Sequence, residues 1–151
     1  MKVMIIMGSK SDEAIMQESQ NWLQWFGIES EMVIASAHRN ADRVSDLMKG
    51  AKGNGFGAVI AGAGMAAALP GVCAALTSLP VIGVPLAGGL SGGIDALYSI
   101  VQMPAGVPVG TMAVGKAGAR NAAVLIARIF ALCDEKVAQR LEDFKAKEFK
   151  I

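Results

Sequence analysis

Five short apolar runs alternate along this chain with segments in which apolar residues recur every three or four positions. Runs with almost no polar residues are typical of strands that are covered on both faces. Strands are predicted at about residues 2–7, 31–35, 58–61, 81–84 and 109–114. The segments between them predict helices that each bury one face. The pattern therefore predicts an α/β chain in which strands and helices alternate.

The helices are predicted from the same spacing and from residues that start and stop helices. The first is expected to begin with Ser11 as its cap and to end at Gly27. Its buried face is expected to carry Ile15, Ser19, Trp22 and Phe26. The second helix is expected to bury Val44, Leu47, Met48 and Ala51. The remaining helices are predicted at about residues 70–76, 94–102, 119–133 and 134–147.

Strands that alternate with helices imply a parallel sheet with right-handed crossovers. No linker, low-complexity tract or repeat divides the chain, so residues 1–151 are predicted to form a single domain. The predicted architecture is a three-layer sandwich with a flavodoxin-like, five-stranded parallel sheet of order 2-1-3-4-5. Helices are expected on both faces, and the C-terminal helix is expected to take part in oligomer contacts.

The charges and the apolar content narrow the classes of partner. Lys and Arg total 14 against 13 Asp and Glu, without a basic face, so we expect no nucleic-acid binding. Between Lys52 and Lys116 the only charged residue is Asp95, which raises the question of a membrane span. Prolines and glycines cut this region into runs shorter than the ~20 residues that a spanning helix needs. We therefore expect no membrane contact and expect the surplus apolar surface to be buried between subunits.

The cysteines and the N-terminal run bear on the compartment. Cys73 and Cys133 have apolar neighbours and no metal-binding spacing, so both are predicted to be buried, reduced thiols. Reduced thiols favour a cytoplasmic location. The run at residues 3–7 is too short for the apolar core of a signal peptide and is predicted as the first strand. One histidine and two dispersed cysteines make a zinc site improbable, and we expect no metal.

A ligand site is predicted at one edge of the sheet, because ligands of open parallel sheets bind beyond the carboxyl ends of the strands. Four loops are expected there, at residues 8–12, 36–40, 62–69 and 87–93. The first combines a glycine, two hydroxyls and a helix start, which suits a phosphate. The third offers backbone N–H groups with little side-chain bulk, so a flat ligand could approach closely. Capping and tight packing explain each loop separately, but their convergence favours a site for a phosphorylated small molecule.

His38 is the only histidine of the chain and lies in the second of these loops. Imidazole is the side chain that ordinarily exchanges protons near neutral pH, so His38 is the first candidate for proton transfer. Arg39, beside it, can bind a phosphate through two hydrogen bonds. A lone histidine is more often a surface residue without a chemical role, and only the neighbouring loops favour the catalytic interpretation.

Other kinds of nucleotide site and a serine hydrolase are disfavoured because their motifs were not found. The loop at residues 8–12 has neither the GxxxxGK[ST] nor the GxGxxG spacing. A serine hydrolase that uses His38 would carry its nucleophile on a GxSxG elbow directly after a strand, and we predict that no GxSxG segment follows a strand. A flavodoxin-like module that binds a nucleotide without proton transfer stays open as the non-enzymatic alternative.

Seven segments together resemble one known family. They are GSKSD at 8–12, SAHR at 36–39, AGAG at 61–64, LPG at 69–71, SIVQMP at 99–104, VGT at 109–111 and GKAG at 115–118. In this order they are similar to the N5-carboxyaminoimidazole ribonucleotide mutases, within the aminoimidazole ribonucleotide carboxylase family of purine biosynthesis. The resemblance covers nearly the whole chain, and the combination is specific although each segment is short.

The resemblance implies an isomerase of de novo purine (IMP) biosynthesis. Members of the family move a carboxyl group from the exocyclic nitrogen of an aminoimidazole ribonucleotide to carbon 4 of its ring. The carbamate breaks down to aminoimidazole ribonucleotide and CO2 held in a closed pocket, and carbon 4 then attacks the CO2. The resemblance also implies that no metal, ATP or organic cofactor is used. It further implies a homo-octamer, which would account for the apolar middle of the chain.

Position by position, the resemblance assigns the proton transfer between ring carbon and nitrogen to His38. It implies that the phosphate and its surroundings are bound by Ser9, Ser11, Ser36 and Arg39. Asp12 would accept hydrogen bonds from the ribose hydroxyls. The imidazole and CO2 pocket would be lined by Ala63, Gly64 and Leu69. Residues 102–104 would close the site from a neighbouring subunit.

Two positions depart from the family pattern. Ala68 lies directly before Leu-Pro-Gly, where the family has a histidine, and Asn40 replaces the usual threonine after His-Arg. Aminoimidazole ribonucleotide carboxylases, which use free CO2 on the same scaffold, are therefore the second interpretation. Their typical pocket loop, with Arg-Ser-Asn after the first glycine, is also missing.

Overall fold

The structure, a computed structural model, describes residues 1–151 and contains five strands and six α-helices. The strands are β1 Lys2–Met7, β2 Ser30–Ile34, β3 Phe56–Gly64, β4 Val81–Leu86 and β5 Gly110–Thr111. The helices are α1 Glu13–Trp25, α2 Ala41–Ala51, α3 Leu69–Leu76, α4 Ile94–Val101, α5 Lys116–Phe130 and α6 Glu135–Ala146. Single turns of 3-10 helix at Lys10–Asp12 and Leu90–Gly92 precede α1 and α4.

The sheet has the predicted topology. All four strand pairs are parallel, and the order is β2-β1-β3-β4-β5. The apolar runs Val3–Met7 and Val81–Leu86 are buried throughout because helices cover both faces of these inner strands. The edge strand β2 has no fully buried residue. The predicted flavodoxin-like, three-layer α/β architecture is therefore confirmed.

The sheet separates two apolar cores. One lies beneath α1, α5 and α6 and includes Met16, Leu23 and Phe26. The other lies beneath α2, α3 and α4 and includes Val44 and Ile100. Six helices thus form the two outer layers, three on each face, and the loops at the carboxyl edge of the sheet stay open.

The apolar face of α6 packs within the chain. Its Phe144 ring meets the rings of Trp22 and Phe26 edge-on at centroid distances of 5.5 and 5.3 Å. Such aromatic pairs contribute about 0.5–1.5 kcal/mol beyond the area that they bury. The apolar spacing of the final helix is therefore explained by contacts with α1.

Several local predictions are wrong. The most buried residues of α1 are Met16, Ser19 and Leu23, so its inner face is turned slightly away from Ile15 and Trp22. The last strand is only two residues long. Helix α5 begins at Lys116, because Gly115 at φ 76° lets the chain turn into the helix three residues before the predicted start.

The two cysteines differ in environment. Cys73 is buried in α3, and burial raises the pKa of its thiol to about 12. Cys133 is exposed, contrary to the prediction, because α5 ends at Phe130 and leaves it in the turn before α6. Both are free thiols. No helix of the chain combines the length and the apolar character needed to cross a membrane.

Candidate active site

A cleft with a volume of about 730 Å³ opens beyond the carboxyl ends of β1 to β4. This volume lies within the range of small-molecule sites. The residues predicted to transfer the proton or to bind the nucleotide within one chain all line the cleft: Ser9, Ser11, Asp12, Ser36, His38, Arg39, Ala63, Gly64 and Leu69. They come from three different loops, which follow the adjacent strands β2, β1 and β3. Between β1 and β3 the direction of the strand order reverses, which is where ligands of such sheets bind.

One side of the cleft, the polar wall, consists of residues 8–12 and 36–39. The prediction that Ser11 caps the first helix is wrong, because a 3-10 turn precedes α1 and moves the cap to Ser9. The Ser11 N–H donates to Ser9 Oγ at 3.4 Å, and the Ser9 N–H donates to Asp12 Oδ2 at 3.0 Å. Ser11 Oγ also donates to Ser9 Oγ at 3.0 Å. These three bonds hold both hydroxyls at the cleft.

Arg39 joins the two segments of the polar wall. Its Nη2 donates to the Gly8 carbonyl at 2.8 Å, and its backbone N–H donates to Ser36 Oγ at 3.3 Å. Ser36 is itself buried. A guanidinium has five N–H donors, and the bond to Gly8 is the only one that this guanidinium makes within the chain. The remaining donors can therefore bind an anion.

His38 lies in the turn between β2 and α2 and is exposed at the cleft. The turn is closed by the Asn40 N–H, which donates to the Ser36 carbonyl at 2.8 Å. No hydrogen bond within the chain engages the imidazole. Both ring nitrogens are thus available to a ligand.

Asp12 is a half-buried carboxyl group at the cleft. Burial raises the pKa of its carboxyl group above the ordinary value. Hydrogen bonds from Ser9 and Ser11 and the positive charge of Arg39 oppose this shift without cancelling it. Perturbed carboxyl groups are common at functional sites, although structural networks also produce them.

The opposite side, the small-residue wall, consists of residues 63–69 at the end of β3 and the start of α3. No side chain of this wall takes part in a hydrogen bond, and Ala67 and Leu69 are buried. Gly64 approaches β4 closely: an added Cβ would lie 3.3 Å from the Leu86 carbonyl oxygen. Met65 is the exception, with an exposed side chain and φ of 56°.

The loop after β4 contributes less than predicted. Only its Ala87 and Gly88 line the cleft. The loop is held by Asp95, whose Oδ2 accepts the Leu90 N–H at 2.9 Å. An added Cβ at Gly89 would lie 2.0 Å from the same oxygen, so a larger residue there would displace the Asp95 carboxylate.

The prediction that no GxSxG segment follows a strand is wrong, since residues 89–93 have this pattern between β4 and α4. Ser91 has a φ of 47°, but it does not line the cleft and has no hydrogen bond to His38. A serine nucleophile needs a base within hydrogen-bond reach. The segment therefore does not form a nucleophile elbow.

Some cleft residues were missed by sequence reasoning. Ile15 and Leu86 line the cleft, and the helical spacing of Ile15 from Asp12 could have indicated it. Met65 could have been noticed as the only long side chain in a run of Gly and Ala. Residues 102–104 do not line the cleft of a single chain, because Met103 packs towards Gly71 in α3. No three His, Cys, Asp or Glu side chains lie close enough together to hold a metal ion.

Known proteins resemble this chain over almost its full length. A family model described as AIR carboxylase matches residues 2–150. A Brucella melitensis protein named N5-carboxyaminoimidazole ribonucleotide mutase is 53% identical, over 95% of this chain and 88% of its own length. An Escherichia coli K12 protein of the same name is 49% identical, over 95% of this chain and 85% of its own length. The crystal structure of Treponema denticola PurE has a TM-score of 0.88 and 31% identity, covering 97% of this chain and 90% of that one.

Proposed function

Because the chain belongs to the AIR carboxylase family, we propose that it acts as an N5-carboxyaminoimidazole ribonucleotide mutase of purine biosynthesis. The relatives named as this mutase are 46–53% identical to the chain. The observation that carries the proposal is the placement of His38 and Arg39 with two serine hydroxyls in one cleft. A proton carrier and donors for a phosphate in one cleft suit a ribonucleotide isomerase.

The polar wall binds the ribose phosphate in this proposal. The guanidinium of Arg39 and the hydroxyls of Ser9, Ser11 and Ser36 supply donors to the phosphate oxygens. The first turn after β1 adds backbone N–H groups and the positive end of a helix. Asp12 accepts hydrogen bonds from the ribose hydroxyls. These contacts fix the nucleotide with its ring directed towards the small-residue wall.

The small-residue wall provides room for the ring and for CO2. The carbamate on the exocyclic nitrogen breaks down, so that the C–N bond electrons stay on nitrogen and CO2 is released into the cleft. Carbon 4 then attacks this CO2, forming a C–C bond. Holding CO2 beside carbon 4 replaces an encounter in solution, which is worth up to about 7–11 kcal/mol in well-oriented reactions. This space is lined by Ala63, Gly64 and Leu69. None of their side chains carries a hydrogen-bond donor that could draw the CO2 away from carbon 4.

His38 moves the proton. Attack on CO2 leaves an extra proton on carbon 4, which the imidazole removes, while the exocyclic nitrogen must gain one when it loses its carboxyl group. One imidazole can carry out both transfers in sequence, with no net change in its own protonation. General acid–base catalysis of this kind contributes roughly 10²–10⁴-fold in rate.

We also propose that the chain works as a homo-oligomer, an octamer, in the cytoplasm. Four large apolar side chains are exposed along one face of α4 and the turn before it: Leu90, Ile94, Tyr98 and Val101. An exposed apolar stripe of this kind is typical of a surface that is covered in an assembly. In the octamer, residues 102–104 would reach the cleft of a neighbouring subunit. The two free thiols favour the cytoplasm.

The test compares two substrates for the purified protein. We expect interconversion of N5-carboxyaminoimidazole ribonucleotide and its carbon-4 isomer without added ATP or metal. Turnover found only with aminoimidazole ribonucleotide and bicarbonate or CO2 would replace the mutase with a carboxylase that uses free CO2. Binding of the nucleotide without any turnover would leave the non-enzymatic module. Light scattering of the same sample measures the oligomeric state, and a monomer would contradict the octamer.

A further inference from the structure

Met65 combines two features that ordinary surface residues rarely share. Its φ is 56°, in the left-handed region, where a side chain with a Cβ is strained. Its side chain is 64% exposed, and among the large exposed apolar side chains it is the one that lines the cleft. Strained residues that persist at the edge of a ligand site commonly have a role there.

Glycine would meet the backbone requirement at this position without strain. The neighbouring Gly64 shows that small residues are accepted in the loop, and Ala66, Ala67 and Ala68 follow directly. Met65 is the only strained residue of this loop, and its exposed thioether contributes little to the core. Its long side chain therefore needs an explanation other than packing. The other strained non-glycine residues are Ser91, Glu148 and Phe149, and none of them lines the cleft.

The cleft has a polar wall and a small-residue wall, which orient a nucleotide between them. A phosphate on Arg39 and the serines leaves the heterocycle beside residues 63–69. Met65 is the only side chain of residues 64–68 long enough to reach across a ring, since the others are glycine and alanine. A thioether makes favourable contacts with aromatic rings at about 5 Å, and its rotatable bonds let it follow the ligand.

We propose that Met65 is a specificity residue whose thioether covers the open face of the heterocycle of the bound nucleotide. The proposal rests on the proposed function, which supplies the imidazole ring. The thioether excludes water from that face and adds affinity for the ring without contacting the phosphate. Strain at Met65 is thus retained because it directs the side chain over the cleft.

Calorimetry with two ligands separates this role from a structural one. The probes are 5-aminoimidazole ribonucleotide and ribose 5-phosphate, which lacks the ring. For Met65→Ala and Met65→Gly we expect the Kd of the nucleotide to rise about tenfold, as loss of a ring contact and its apolar area would cause. The Kd of ribose 5-phosphate should stay unchanged. Met65→Leu, which keeps an apolar side chain of similar volume, should keep most of the affinity for the nucleotide.

Thermal unfolding separates the effect of losing the Met65 side chain from the effect of relieving its backbone strain. The Tm of Met65→Gly should exceed that of Met65→Ala by about 2–4 °C, because only glycine relieves the left-handed backbone. Glu148→Gly relieves the same kind of strain far along the chain from the cleft residues and should leave both Kd values unchanged. This control tests whether relief of strain away from the cleft alters binding.

The outcomes are distinct. Equal Kd values for the nucleotide in the wild type and in Met65→Ala would overturn the role of Met65, and so would an equal weakening of both ligands. If the wild type bound ribose 5-phosphate but not the nucleotide, the proposed function would fail together with this inference. If the wild type bound the nucleotide tightly and the Met65 variants bound it equally well, the role of Met65 would be contradicted and the proposed function would stand.

Discussion

The two walls of the cleft are built by opposite means. In the polar wall, side chains hold the loops: Asp12 accepts the Ser9 N–H, Ser9 Oγ accepts the Ser11 N–H, and Arg39 bridges to Gly8. In the small-residue wall no side chain forms a hydrogen bond, and close packing of β3 against β4 fixes the backbone. The polar wall is therefore suited to bind a charged group, whereas the small-residue wall is suited to enclose a neutral one.

This difference separates binding from chemistry. A phosphate needs fixed donors, and the bonds among the polar side chains hold those donors in place before the ligand arrives. CO2 offers little to bind, and it reacts fastest when it is confined near carbon 4 without competing partners. His38 lies on the polar wall but has no partner within the chain, so it is free to act on the ring.

The largest expected effect is on His38, for which we propose a role in the chemistry rather than in binding. In His38→Asn we expect kcat to fall by at least 10²-fold, because the proton carrier is lost. The Kd of the nucleotide should stay within about tenfold, or roughly 1.4 kcal/mol. Steady-state kinetics and calorimetry on the same preparation measure both. Unchanged turnover would remove His38 from the mechanism.

Loss of Arg39 should affect binding instead. In Arg39→Ala we expect KM to rise about 10–100-fold, since hydrogen bonds to a charged group contribute about 1.5–3 kcal/mol. Arg43→Ala, an exposed arginine on α2 that does not line the cleft, is the matched control and should change KM little. Equal effects of the two substitutions would mean that general positive charge, rather than a phosphate site, is being measured.

One glycine in each wall tests how each wall is held. At Gly64 an added Cβ would crowd the Leu86 carbonyl, so Gly64→Ala should lower the free energy of unfolding by about 1–3 kcal/mol. At Gly8 no atom lies within 4 Å of an added Cβ, so Gly8→Ala should be tolerated or slightly stabilising. Chemical denaturation compares them. The contrast between the walls would be lost if Gly8→Ala were the more damaging change.

The smallest expected effect is a pH dependence that comes from Asp12. Burial raises the pKa of its carboxyl group, so Asp12 gains a proton at a higher pH than an ordinary aspartate near 3.9. As the pH falls through that raised pKa, Asp12 loses an acceptor for ribose, and affinity for the nucleotide should fall. Asp12→Asn should lack this acidic limb. If both proteins had the same acidic limb, Asp12 would not contact the ribose.

The effect of pH on the free energy of unfolding has the opposite sign to its effect on nucleotide affinity. Because the pKa of Asp12 is higher in the folded chain than in the unfolded one, its protonation favours folding. This contribution is present below the unfolded pKa and is lost as the pH rises through the folded pKa. Asp12 should therefore bind the nucleotide best at a pH where it contributes least to stability.

The sequence predicted the fold class because its apolar runs are short and alternate with helical spacing. Val3–Met7 and Val81–Leu86 are short and apolar throughout, which favours inner strands, and their alternation with helices favours a parallel sheet. The order of the strands does not follow from the spacing; it was predicted from common doubly wound folds, and the structure has that order. The residues predicted to catalyse or to bind within one chain also line one cleft, since each follows a strand or begins a helix at the same sheet edge.

Details that depend on single turns could not be predicted. A 3-10 turn moved the cap from Ser11 to Ser9, and the early end of α5 exposed Cys133. The left-handed conformation of Met65 depends on how the chain passes from β3 to α3, which has no periodic pattern. The clamp of Asp95 on the loop after β4 needs a hydrogen bond between residues that only the folded loop brings together.

The most direct test of the central claim follows the carboxyl group itself. N5-carboxyaminoimidazole ribonucleotide carrying 13C in its carboxyl group is converted in unlabelled bicarbonate, with carbonic anhydrase present to equilibrate any CO2 that escapes. If the cleft confines CO2 between the two walls until carbon 4 attacks, the carbon-4 carboxylate of the product keeps the label. A product whose label is diluted to the level of the surrounding bicarbonate would contradict confinement and with it the mutase mechanism.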